Sequence, residues 1–201
     1  MLEAISRNAQ RLKKLSEDIL EASKTESNSL QLNKEHFTAK EIILEVINSY
    51  KSNIDSKNIK FVYSPDDDNL TIHADRNGIS RVFSNLINNP IKFIPQNDGG
   101  VISIGVEHKE SNRDTKESKG TIVVSIKDNG EGIDKEILPR LFTKFVSKSF
   151  HGTGLGLYIS KSIVEAHGGQ LWAENNVDGK GATFRFELPI ESRSKHIHKK
   201  T

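Results

Sequence analysis

Asp128-Asn129-Gly130-Glu131-Gly132-Ile133 and, about twenty residues on, Gly152-Thr153-Gly154-Leu155-Gly156-Leu157 form two glycine clusters. Both are preceded by Asn85-Leu86-Ile87-Asn88-Asn89-Pro90-Ile91-Lys92-Phe93. The first cluster follows an apolar run, Ile122-Val123-Val124-Ser125-Ile126, that reads as a strand. The second opens a helix from about Leu155 to His167, and Gly168 stands where a left-handed cap should end it.

The same alternation continues outward. Ile79, Val82, Phe83, Leu86, Ile87 and Ile91 share one face of a helix from about Asn77 to Phe93, and Val101 to Val106 and Thr121 to Ile126 alternate as strands. Ile59 to Tyr63 and Leu70 to Ala74 read as strands joined by an acidic turn, which predicts a hairpin. Thr38-Ala39-Lys40-Glu41 has the form of a capping box ahead of Ile42, Ile43, Val46, Ile47 and Tyr50. Gln170 to Glu174 and Thr183 to Leu188 are the last strands, and Glu107 to Gly120 is a solvated loop. Helix, strands, helix, strands, helix, strands predicts an α/β (α+β) two-layer sandwich, a mixed sheet with helices on one face. It is preceded by one amphipathic helix to about Ser29, where Ile5, Leu12, Leu15, Ile19 and Ala22 fit a and d positions and Asn8 is the polar exception. That stripe needs a partner: another helix, by self-association or bundle formation, is the preferred reading, and the chain's own domain is the alternative. Residues 1–30, 31–190 and a basic tail, 191–201, are the expected divisions.

A chain of 201 residues accommodates one ordinary domain plus a short appendage. Its 29 basic and 27 acidic side chains leave a net charge of +2, so no large field of one sign exists to attract nucleic acid or anionic lipid. The lack of cysteine excludes disulfides and thiolate metal sites and suits a reducing compartment. No apolar run approaches the roughly 20 residues of a membrane-spanning helix. A cytoplasmic location is expected, with any membrane tether in upstream sequence.

The motifs carry a consistent chemistry. A carboxylate at a strand end, Asp128, can accept the exocyclic amino group of adenine, and Gly130 and Gly132 let a base lie close to the backbone. Gly152, Gly154 and Gly156 offer bare amides at a helix N-terminus, an arrangement suited to phosphate; the spacing fits neither the dinucleotide fingerprint nor a Walker loop. Asn85 and Asn89, four apart, share a helix face, and an amide oxygen is a hard ligand suited to magnesium. Lys92 lies near enough to that face to reach a phosphate.

Asn85 to Phe93, Asp128 to Ile133, Leu141-Phe142-Thr143-Lys144-Phe145 and Gly152 to Leu157 resemble, in order, the N, G1, F and G2 boxes of sensor histidine kinases. Gln10-Arg11-Leu12-Lys13-Lys14-Leu15 through Ser23 resembles the second helix of their dimerisation and phosphotransfer hairpin. The resemblance implies the Bergerat ATP-binding sandwich shared with gyrase and Hsp90-type ATPases, with ATP and Mg2+ as cofactors. Asn89 would hold magnesium, Asn85 and Lys92 would face the phosphates, and Asp128 would bind adenine. Phe93, Gly130, Gly132, Ile133, Gly152, Thr153, Gly154, Leu155, Gly156 and Leu157 would complete the nucleotide site. Asp134 to His151 would be the lid, bearing Phe142, Lys144, Phe145 and Lys148, with Phe142 and Phe145 packing it down.

The implied activity is transfer of the γ-phosphoryl group to a histidine. The ATPases of this fold carry a glutamate where Asn85 stands, and an amide cannot take a proton from water, so hydrolysis lacks its base. None of the seven histidines has the acceptor setting of the family, so the acceptor helix of the same kinase is expected elsewhere and the isolated chain is expected to be inactive. The implied partners are that helix, a response regulator and, with the full hairpin, a second copy. A degenerate nucleotide-binding or dimerising regulator, or an ATPase or serine kinase of the same fold, is the alternative. The family usually has alanine at the position of Pro90; proline within a helix costs about 3 kcal/mol, so a kink beside Asn89 is expected. Ala182 stands where the family often has a small hydroxyl residue.

Overall fold

The computed structural model describes residues 2–26, 31–66, 70–94, 99–110, 120–147, 152–177 and 179–190. Lys148, Phe150, His151, most of the charged loop and the basic tail lie outside the described residues. Helix α1 (Leu2–Glu26) leads into β1 (Lys34–Thr38), α2 (Ala39–Ser49), α3 (Lys51–Ser56), β2 (Lys60–Pro65), β3 (Thr71–Asp75) and α4 (Arg76–Phe93). Then follow β4 (Val101–Lys109), β5 (Thr121–Asp128), a 3-10 turn (Leu138–Arg140), α5 (Gly156–Ala166), β6 (Gln170–Asn175) and β7 (Ala182–Pro189).

Five strands form one mixed sheet in the order β2-β4-β5-β7-β6, parallel at the β2–β4 edge and antiparallel elsewhere. Its register explains the two layers. Ile104, Ile126 and Phe184 align across β4, β5 and β7, as do Val106, Val124 and Phe186, and all six are buried. The alternate rows carry Ser103, Lys127, Ser125, Arg185 and Glu187. One face is therefore apolar, and α4 covers it, with Phe83 meeting Phe186 edge to face at 5.3 Å between ring centroids. Helices α2 and α5 pack against α4.

The hairpin expected between β2 and β3 is absent. Strand β2 runs parallel beside β4, while β3 pairs antiparallel with β1 in a separate two-stranded sheet. The two strands belong to different sheets, because Phe61, Val62 and Tyr63 are half-buried at the β4 edge whereas Ile72 is buried opposite Phe37. Pro65 is tolerated because β2 is an edge strand, where a missing amide breaks no central ladder.

The local signals hold. Thr38 Oγ1 accepts from Glu41 N at 3.3 Å and Glu41 Oε2 accepts from Thr38 N at 3.4 Å, the reciprocal capping box. Gly168 takes φ +77° and ends α5. Helix α4 stays helical through Pro90 to Phe93, and Pro90 O accepts from Ile94 N at 2.8 Å. The stripe of α1 divides: Leu15, Asp18 and Ala22 turn toward the domain where α1 packs on α5, while Ile5, Leu12 and Ile19, seven apart, face outward. No helix among the described residues is long and apolar enough to cross a membrane.

Candidate functional site

Strand β5, central in the sheet, delivers Asp128 to its end with only 8% of the residue exposed. Its Oδ1 accepts from Gly130 N at 2.8 Å and, at 3.4 Å, from Ala182 N. Burial pushes the Asp128 carboxyl above the ordinary carboxylate range, and the two amides pull it partly back. Both of these bonds fall on Oδ1, and Asp128 lines the cavity described below.

Residues that the motifs did not single out hold this corner. Asn175 Oδ1 accepts from Ile133 N at 2.6 Å and its Nδ2 donates to Ile133 O at 2.7 Å, gripping both sides of one residue. Asn176 Nδ2 donates to Asp128 O at 2.8 Å and to Lys180 O at 2.6 Å, and Asn176 Oδ1 accepts from Thr183 Oγ1 at 2.6 Å. Gly132 and Gly181 both have positive φ, and a Cβ on Gly181 would lie 2.0 Å from Asp128 O. The sequence signal available was Asn175-Asn176 after a strand and before Gly179-Lys180-Gly181, a turn signature without an address.

Helix α4 starts at Asp75, whose Oδ1 caps Gly78 N at 2.7 Å, and carries Asn85, Asn89, Lys92 and Phe93 toward the same space. Asn85 lines that space while its Nδ2 donates to Gly156 O at 3.0 Å and Ser160 Oγ at 3.1 Å, tying α4 to the first turn of α5. Asn89 is half-buried. The Lys92 ammonium is lowered from the ordinary lysine range, first by desolvation and then by Lys14, with Asp18 opposing.

The glycine loop meets the lid through backbone. Gly154, at φ +68°, would place a Cβ 2.5 Å from the Phe145 carbonyl carbon, and Gly154 O accepts from Phe145 N at 3.0 Å. Phe145 itself takes φ +63° and the residue is 69% exposed, so it does not pack the lid down as expected. Leu141, 8% exposed, and half-buried Phe142 pack against the core instead, while Phe145, itself in the left-handed region, leaves its side chain exposed. Lys144 Nζ lies 5.0 Å over the Tyr158 ring.

Between these parts lies a cavity of about 440 Å³, an ordinary size for a small-molecule site. Asn85, Asn89, Lys92, Phe93, Asp128, Gly132, Ile133, Gly152, Thr153, Gly154, Gly156 and Leu157 line it. Gly130, Phe142, Lys144, Phe145 and Leu155 are not among its lining residues; Leu155 is 1% exposed and belongs to the core. Gln10, Lys14 and Asp18 of α1 also line the cavity, which no motif foretold. Among the described residues no group of three or more His, Cys, Asp or Glu side chains could hold a metal by itself. A cation here would bring most of its ligands as phosphate oxygens and water, the habit of magnesium.

Over residues 74–192 the sequence matches the family described as histidine kinase-, DNA gyrase B-, and HSP90-like ATPase. The sensor histidine kinase WalK of Bacillus subtilis is 30% identical over 188 residues, 90% of this chain and 29% of WalK. The nucleotide-free catalytic domain of histidine kinase ThkA superposes with a TM-score of 0.66 at 33% identity, covering 78% of this chain and 95% of that domain. Histidine kinase ThkA in complex with response regulator protein TrrA gives a TM-score of 0.69 at 29% identity, covering 92% of this chain and 49% of that one. The chain spans 20% to 45% of the length of curated relatives such as KdpD of Clostridium acetobutylicum and SasA of Crocosphaera subtropica. It therefore belongs to the histidine kinase-, DNA gyrase B- and HSP90-like ATPase family and carries the ATP-binding catalytic domain of a two-component sensor histidine kinase.

Proposed function

We propose that the cavity binds Mg-ATP and that the γ-phosphoryl group passes to a histidine on the acceptor helix of the same kinase. One observation carries this reading: Asp128, the α4 side chains and the glycine loop, separated by up to about 70 residues in sequence, line one cavity. Asp128 would accept the adenine amino group, Lys92 and the amides of residues 152–156 would receive phosphate oxygens, and the Asn89 oxygen would hold magnesium. Bound magnesium would neutralise phosphate charge. Phosphoryl transfer asks chiefly for positioning and charge balance: the bond from the γ-phosphorus to the β-phosphate oxygen breaks, a bond to the histidine nitrogen forms, and ADP leaves.

Asn85 supports transfer over hydrolysis. Its amide already donates to Gly156 and Ser160, and an amide has no basicity with which to activate water. Continuity of α4 past Pro90 keeps Asn89 and Lys92 on one helix, which favours a working site over a degenerate one. We assign residues 1–30 to the dimerisation and phosphotransfer hairpin, 31–190 to the catalytic domain and 191–201 to a basic tail. A cytoplasmic setting, a response regulator and a homodimer through the full hairpin complete the proposal; the solved complex of ThkA with TrrA supports the second.

Mixing the chain with a separate acceptor-helix fragment and γ-labelled ATP should place acid-labile phosphate on the fragment. Release of inorganic phosphate without labelling of the fragment would refute phosphotransfer and favour an ATPase.

A further inference from the structure

Gln10, Lys14 and Asp18, spaced by four on α1, bring one edge of that helix into the wall of the nucleotide cavity. Asp18 is 3% exposed, and its two oxygens bind different elements. Oδ1 accepts from Arg81 Nη2 of α4 at 2.6 Å, and Oδ2 accepts from the Thr153 hydroxyl at 3.1 Å. Arg81 also pairs with Glu21, one turn further along α1. A buried carboxylate persists only where its charge is paired and its lone pairs are used, and both conditions are met here.

Thr153 lies between Gly152 and Gly154, and all three line the cavity. Its hydroxyl, while donating to Asp18, accepts from Leu155 N at 3.3 Å, where the loop enters α5. Gly154 meets the backbone of Phe145 and Val146 on the other side. The loop is thus gripped from two directions, by the lid backbone and by a carboxylate 135 residues away in sequence. The docked edge of α1 also adds Lys14 to Lys92 on the same cavity, a second cation for a polyanionic ligand.

We propose that Asp18 is a positioning residue of the nucleotide site: held by Arg81, it fixes Thr153 and so the phosphate-binding glycine loop, making α1 docking and nucleoside triphosphate binding mutually favourable. The proposal rests on the reading of the cavity as an ATP site. Linkage requires the effect to be reciprocal, so a triphosphate that is held more tightly when α1 is docked must also hold α1 down.

The test is calorimetric titration of the full chain with a non-hydrolysable ATP analogue and magnesium, across Asp18→Ala, Asp18→Asn, Thr153→Val, Thr153→Ser and the Asp18→Ala/Thr153→Val double variant. Asp18→Ala and Thr153→Val should each weaken binding about tenfold, within the usual span of site-to-site coupling, and the double variant should be little worse than either. Thr153→Ser should restore affinity, which loss of packing alone would not do. Asp18→Asn keeps the shape and should fall between. Affinity unchanged or improved by Asp18→Ala, or losses that add in the double variant, would overturn the proposal; improvement would make α1 a plug. Should Asp18→Ala fail to fold, the Thr153→Val and Thr153→Ser pair decides: equal affinities would overturn it. Failure of the unsubstituted chain to bind would instead overturn the nucleotide reading, and this proposal with it.

Discussion

Gly179 and Gly181 have nearly the same backbone angle, φ +74° and +75°, but opposite surroundings. A Cβ on Gly179 would meet nothing within 4 Å, whereas on Gly181 it would lie 2.0 Å from Asp128 O and 2.8 Å from Asp128 Oδ1. Alanine at either position bears the cost of the left-handed region, about 1–2 kcal/mol. At Gly181 it must also part β7 from Asp128 by about 1.4 Å, since ordinary contact begins near 3.4 Å and 2.0 Å is available. That movement breaks Asn176 Nδ2 to Asp128 O and Ala182 N to Asp128 Oδ1. Two such bonds contribute about 1 kcal/mol each. Gly181→Ala should therefore destabilise by about 2 kcal/mol more than Gly179→Ala, read from urea unfolding with unchanged m-values. Nucleotide affinity should survive Gly179→Ala but fall at least about tenfold in Gly181→Ala, because the displaced group carries the proposed adenine acceptor. Equal losses of stability, or full nucleotide affinity in Gly181→Ala, would refute the claim that Gly181 exists to let β7 approach Asp128.

Asp128→Asn keeps an oxygen for Gly130 N but sets an amino group against the adenine amino group; losing a charged hydrogen bond of about 1.5–3 kcal/mol should weaken ATP-analogue binding roughly ten- to a hundredfold. A guanine nucleotide should lose much less, and parallel titrations with both decide it. Asn89→Ala should abolish labelling of an acceptor-helix fragment while leaving the urea midpoint within the scatter of surface substitutions; retained transfer would remove Asn89 from the metal. His167 is buried, with Nδ1–H donating to Ile163 O at 2.7 Å and Nε2 accepting from Asp75 N at 2.9 Å, and burial foremost lowers its pKa. The unfolded chain then takes up this proton first, near the ordinary histidine value of about 6.5, so stability should be level above that pH and decline below it. Urea midpoints in wild type and His167→Gln across that range should differ in slope below about 6.5 and not above.

Legibility in the sequence followed the range of the interaction. Thr38 and Glu41 are three residues apart, so their reciprocal cap could be named from local geometry, as could the end of α5 at Gly168. The apolar periods of α4, β5 and β7 likewise announced their elements. Strand pairing did not follow. Phe61 to Tyr63 and Leu70 to Ala74 look like two arms of a hairpin, yet each finds a different sheet, and the partner that β3 takes is β1. Within the site, the glycines and Asp128 could be named, but Asn175 and Asn176 could not, since a turn asparagine looks the same whether it faces water or grips Ile133. Phe145 holds the glycine loop through its backbone and not its ring, a distinction that a phenylalanine in a sequence does not carry.

From sequence alone came the apolar periods of the longer helices and strands, the left-handed backbone at Gly168, and the glycine and asparagine motifs whose residues line the cavity. Those rest on hydrogen bonds and apolar periods spanning a few residues, where the chain's own connectivity brings the partners together. Tertiary structure alone decided which strands pair, that Asn85 binds α5, and that Asp18 reaches Thr153. In those cases residues far apart in sequence meet by shared burial, and loop closure over tens of residues leaves no local mark on either partner.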